Sequence, residues 1–202
     1  MSEANRVPGY QRRRQVPAST LREIGGAAVA ALYDELALAP KPGLVSFIDS
    51  GSHDDMDART FMRSLFSLRR YFPSLASLGA AGATFEVLEH AGIAAETRML
   101  AATGGINTHR GAVFCLGLLC ASAGSVAAQG APLHATALQR ELIAGWGPAL
   151  SERVARSSSA HGAAAARLFG LRSAGAEAAL GFPVLFETTL PALLDAHHSG
   201  AT

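Results

Sequence analysis

Lysine is almost missing from this chain: of 17 basic residues only Lys41 is a lysine. Charged residues make up 16% and aromatics 6%. The formal net charge is +1, which excludes binding of polyanions by bulk charge. Beyond Arg12, Arg13 and Arg14 near the start there is no basic stripe, so no nucleic-acid partner is expected. There are two cysteines, Cys115 and Cys120. Five residues apart on a helix, they do not face each other, and they read as buried, reduced thiols of a cytoplasmic protein. No signal peptide is visible, since the start is polar. No uninterrupted apolar stretch is long enough to span a bilayer; the longest, about Ala112 to Ala123, is a candidate buried helix, and no membrane partner is expected.

What is abundant is alanine, within a hydrophobic fraction of 49%. Alanine has the highest helix propensity and fills little volume, which favours closely packed helices. No segment alternates with period two for long enough to argue a sheet. The expected fold is all-α, a single compact multi-helix domain over 18–202, preceded by a flexible basic tail over 1–17. The first helix is expected from Ser19 or Thr20, with Glu23 at capping-box spacing from Thr20, and must stop before Pro40 and Pro42. A loop follows to Asp55. A second helix is expected from Asp57 to Phe72, where Phe61, Leu65, Leu68 and Phe72 form an apolar stripe and Arg59, Arg63 and Arg70 lie off it; Pro73 disturbs its end. Further helices are expected over Thr84–Ala102 with a break at Gly92, His109–Ala123, Leu133–Ser157, Ala160–Gly170 and Phe186–His197.

Three clusters can carry chemistry. In Pro40-Lys41-Pro42-Gly43, two prolines hold a lysine in place, which suits a point charge aimed at a phosphate. The plain alternative is a helix-ending loop with a solvent-facing lysine. In Gly51-Ser52-His53-Asp54-Asp55, paired carboxylates beside a histidine and a serine suit a divalent ion or an oriented hydroxyl. An N-cap role accounts for one acid there but not for the histidine. In Gly104-Gly105-Ile106-Asn107-Thr108-His109-Arg110-Gly111, a glycine turn opens onto a helix whose unpaired first-turn amides favour an anion, and Arg110 adds donors. No Gly-Lys-Ser/Thr follows, so this is not the Walker arrangement. Glu35 and Glu96 sit on apolar stripes, where a carboxylate is costly unless paired or metal-bound. Glu86, Glu89 and Asp34 read as ordinary solvated charges. His161 and Glu177 are weaker candidates.

These clusters, in this order, resemble the ATP:dephospho-CoA triphosphoribosyl transferase family. The matching strings are Glu35 with "APKPGLVS", "GSHDDM", "AETRMLAATGGINTHRGAVF", "SAHG", "AEAALGFP" and "FPVLFETTLPALL". The strings "DELALAPKPGLVS" and "GSHDDMDARTFMRSLFSLRRYF" are most similar to the malonate decarboxylase branch, and the citrate lyase branch shares the core motifs. The sequence departs from the family pattern at Ser46, often aspartate, and at Ala174–Ala178, which lacks an arginine. It also ends soon after Gly200, so the domain is expected to lack the family's C-terminal segment.

The resemblance implies an all-α enzyme, a pentosyltransferase. It would move the triphosphoribosyl group of ATP onto the ribose 2′-hydroxyl of 3′-dephospho-CoA and release adenine. Magnesium is the implied cofactor, and an acyl carrier protein the downstream partner. The implied phosphate-binding residues are Lys41, Gly43, Ser52, Asn107, Thr108, Arg110 and Gly111. Asp55, Glu96 and Glu35 would serve magnesium, and His53, His109 and Asp55 the proton transfers. One alternative is a non-catalytic nucleotide-binding homologue. Another is a metal-dependent phosphohydrolase; that class needs histidines upstream of His53, and the sequence has none.

Overall fold

The computed structural model describes residues 13–156 and 170–200. Among them the protein is all-α, as expected. The chain runs through α1 (Ala18–Ala37), α2 (Ala58–Leu68), α3 (Tyr71–Ala81), α4 (Phe85–Thr103), α5 (Arg110–Gln129), α6 (Ala135–Arg156) and α7 (Ala174–Ala179). A π-helical segment (Val184–Thr189) then leads into α8 (Leu190–His198).

The centre of the fold is the pair α3 and α5. Both are apolar on nearly every side, as a helix surrounded by others must be. Phe72, Leu75 and Ala76 of α3 and Leu118 and Ala121 of α5 are buried. The two helices run the same way: the Tyr71 hydroxyl at the start of α3 donates to the Val113 carbonyl, while Gly79 near its end lies against Ala121. Small residues set the separation. A Cβ on Gly79 would stand 1.9 Å from the Ala121 carbonyl oxygen, and one on Gly124 would stand 1.9 Å from that of Ala76. Gly124, expected to punctuate the end of a helix at Ala123, is instead an interior contact of α5, which continues to Gln129 and ends at left-handed Gly130.

With 20 residues and a mean hydropathy of 1.9, α5 is longer than the apolar stretch foreseen and reaches the length and apolarity of a membrane-crossing helix. In the fold it packs against α1, α3, α4 and α6, as a core helix does.

Three boundaries differ from expectation. The capping box at Thr20 does not form, because α1 starts earlier, with Pro17 before it. The helix expected over Asp57–Phe72 is two helices, turning at Arg69 and Arg70. Pro73 lies in the first turn of α3, where its missing N–H has no helical partner to lose. Asp57 caps α2 by accepting from Thr60 N at 2.8 Å, and this bond holds its carboxyl below the usual carboxylate range. Third, α4 runs unbroken through Gly92. The last helix begins with the π-helical turn, since the Pro191 ring crowds the carbonyl four residues before it.

Of the expected tail, residues 13–17 are described, and they lie on the α3–α5 pair. Arg13 donates to Gly79 O at 2.8 Å and Ser125 Oγ at 2.9 Å, and Arg14 N to Ala128 O at 2.7 Å. His161, and the helix expected from Ala160 apart from Gly170, fall outside the described residues.

Candidate active site

The loop between α1 and α2 is folded on itself. Gly43 and Gly51 both have positive φ, and a Cβ on Gly51 would stand 2.5 Å from the Gly43 carbonyl carbon. This brings Ser52 onto Gly43, whose carbonyl accepts from Ser52 N at 3.3 Å and Ser52 Oγ at 3.1 Å. Lys41 turns back onto α1. Its Nζ donates to the Glu35 carbonyl at 2.5 Å and to Glu35 Oε1 at 2.6 Å, with its side chain only 7% exposed. An ammonium at the C-terminal end of α1 is favoured by the helix dipole. Two of its three donors are therefore used within the protein, and the cation is not solvent-facing. Farther along, His53 Nδ1 lies 3.7 Å from Asp55 Oδ1, with both side chains open to solvent.

The start of α5 divides its residues between two environments. Asn107, Arg110 and Gly111 face a cavity of about 520 Å³. Its floor is apolar, from Tyr71, Leu75, Phe85, Leu88 and Phe114, and two acid–arginine pairs stand at its edge. Arg110 pairs with Glu96 of α4, and Arg153 of α6 with Glu89 of α4. Glu89, read from sequence as a solvated charge, is thus part of the cavity lining, and Arg153 joins it without any sequence signal. Asn107 Oδ1 accepts from Arg110 N at 3.2 Å, which fixes the turn.

Thr108 and His109 point inward. His109 is 5% exposed, edge-on to Phe61, and its Nδ1 lies 2.6 Å from Ser64 Oγ of α2. The Thr108 hydroxyl donates to the same Ser64 oxygen at 2.7 Å. Ser64 Oγ and His109 Nδ1 thus share one hydrogen bond whose direction follows the imidazole tautomer. Nε2 is buried and has no partner among the described residues. Burial pushes the His109 pKa down to about 4, against a smaller opposing pull from the Glu35 carboxylate. His109 is therefore neutral near pH 7 and does not supply the near-neutral titration expected of it. Ser64 went unnoticed in the sequence, although it lies on the face of the α2 apolar stripe, where a small polar residue invites the question of its partner.

Asp55, Glu35 and Glu96 do not converge. Glu35 pairs with Lys41, Glu96 with Arg110, and Asp55 lies beside His53, and among the described residues no three His, Cys, Asp or Glu side chains gather to hold a metal. Glu177 is structural: it pairs with Arg172 and accepts from Val184 N. Burial raises both thiols, that of Cys120 to about 12, so neither is a nucleophile at neutral pH.

An all-helical domain with acid–arginine pairs around a concave, largely apolar site has the form of a small-molecule-binding domain. Residues 21–202 match the family model of ATP:dephospho-CoA triphosphoribosyl transferase, CitG, and the chain belongs to that family. It is 38% identical over 168 residues to a probable 2-(5″-triphosphoribosyl)-3′-dephosphocoenzyme-A synthase of Acinetobacter calcoaceticus, covering 83% of this chain and 58% of that protein. Proteins of the same name from Pseudomonas fluorescens and Citrobacter koseri are 38% and 34% identical, covering 89% and 87% of this chain and 62% and 61% of theirs. The chain thus spans about three-fifths of the length of these curated relatives. No solved structure matches it.

Proposed function

We propose that the protein transfers the triphosphoribosyl group of ATP to the ribose 2′-hydroxyl of 3′-dephospho-CoA. The hydroxyl oxygen bonds to the anomeric carbon of ATP as the bond from that carbon to adenine breaks. The hydroxyl proton ends, net, on the departing adenine. The observation carrying this reading is the Glu96–Arg110 pair over the cavity at the start of α5, inside the stretch that matches the family.

A departing base leaves oxocarbenium character on the ribose, which an acidic and water-poor site stabilises. Glu96 faces that charge, and the Arg110 guanidinium, the Asn107 side-chain amide and the Gly111 amide hold phosphate oxygens. Thr108 and Gly111 shape that turn, while Lys41, Gly43 and Ser52 order the α1–α2 loop. His53, oriented by Asp55 at 3.7 Å and open to solvent, moves the proton. His109 is a neutral positioning residue behind the α5 turn. Magnesium would come with ATP on its triphosphate, and one or two of the separate carboxylates Glu96, Glu35 and Asp55 would hold it and offset phosphate charge.

The strings around Lys41 and His53 favour the malonate decarboxylase pathway over citrate lyase. The product then serves an acyl carrier protein in the cytoplasm.

The test is incubation with ATP, magnesium and dephospho-CoA, followed by mass spectrometry. Free adenine together with a triphosphoribosyl adduct is expected. ATP binding without adenine would replace this reading with that of a nucleotide-binding homologue.

A further inference from the structure

One face of α2 is unused by the core. Arg59 is followed three and four residues on by Met62 and Arg63, and these by Phe66 four and three residues further, which puts them on one side of the helix. With Phe47 from the α1–α2 loop and Arg69 at the α2–α3 turn, they border a groove of about 670 Å³. Phe66 is 56% exposed and Phe47 49%, and Phe47 stands beside the exposed Tyr33 ring at 5.7 Å between centroids. Lys41, Arg110 and Arg153 each have a carboxylate partner, whereas Arg59, Arg63 and Arg69 have none among the described residues. Arg63 reaches only Thr60 Oγ1, at 3.4 Å, and Arg69 only the Phe66 carbonyl, at 2.5 Å. The neighbouring acid, Asp57, caps α2, and its carboxylate feels Arg59 and Arg63 only beyond salt-bridge distance.

Guanidiniums with no salt-bridge partner among the described residues, beside exposed rings, match one ligand chemistry. Forked donors take phosphate oxygens, and aromatic faces stack on a base. We infer that this groove binds a nucleotide through its diphosphate and its base. Resting on the transfer reading above, the occupant is dephospho-CoA, whose diphosphate joins adenosine to a long arm. The two substrates are both polyanions, and a single cavity whose arginines are already paired does not neutralise both. The groove is lined by Phe47 and Ala58, which stand in sequence on either side of the segment carrying His53 and Asp55.

The test uses the full chain and the variant R59Q/R63Q/R69Q, with folding checked by thermal melting. Calorimetry with dephospho-CoA and with ATP, each alone, should show dephospho-CoA weakened at least about tenfold, ATP changed by less than about twofold, and a shallower salt dependence. Unchanged dephospho-CoA affinity overturns the inference and leaves the arginines to an acidic protein surface. Equal weakening of both ligands overturns it as well, as a general charge effect. Because the readout is binding, the two readings fail separately. If no adenine forms while the variant still loses dephospho-CoA, only the transfer reading falls. If adenine forms and the KM for dephospho-CoA does not move in the variant, only the groove falls.

Discussion

The Ser64 hydroxyl, 2.6 Å from His109 Nδ1 and itself accepting from Thr108, fixes the ring that anchors the start of α5 to α2. Ser64→Ala would leave His109 buried with neither nitrogen paired. An unsatisfied buried group costs about 1–3 kcal/mol, so the melting temperature should fall by several degrees. Adenine release should fall further than the loss of folded protein explains. Ser64→Thr, which keeps the hydroxyl, should restore most of both; a melting curve for Ser64→Ala equal to that of the parent would count against the bond.

His109 also sets a pH dependence. Its folded pKa of about 4 lies below the unfolded value near 6.5. Between those values the unfolded chain binds the proton and the folded chain does not. Stability is therefore full above about pH 6.5 and declines as pH falls towards 4, by on the order of 2–3 kcal/mol. Urea unfolding from pH 7 to 4.5 should show this slope, and His109→Gln should flatten it.

The helix contacts predict opposite effects of one substitution. Gly79→Ala drives a methyl into the Ala121 backbone, which cannot rotate away, and should destabilise by about 3 kcal/mol or more. Gly26→Ala, on α1 with nothing within 4 Å of the new atom, should stabilise by about 0.5–1 kcal/mol through helix propensity. Chemical denaturation of the two variants side by side checks both signs.

For the proposed proton transfer, His53→Ala should lower turnover about 100-fold or more while leaving ATP affinity within about twofold. Turnover equal to that of the parent would remove His53 from the mechanism.

Much was legible in the sequence because it depends on local chemistry. Alanine-rich stretches and the Phe61–Leu65–Leu68 stripe set helices, since propensity and a 3.6-residue period are properties of a single segment. The joint strings around Lys41, His53 and His109 marked the family, since several unusual motifs in order are specific without coordinates. The break at Arg69 and Arg70 was not legible, because Pro73 reads as an ending until α3 is seen to begin around it.

The sequence by itself determined that the chain is helical, which segments carry its polar chemistry, and the family to which it belongs. Only tertiary structure decided how those polar groups are spent. It paired Lys41 with Glu35 and Arg110 with Glu96, buried His109 against Ser64 and so made it neutral, and left Arg59, Arg63 and Arg69 without a salt-bridge partner among the described residues. The reason is physical: a side chain's charge state and free donors depend on burial and on partners 45 residues away along the chain, as His109 and Ser64 show, and no local pattern encodes such distances.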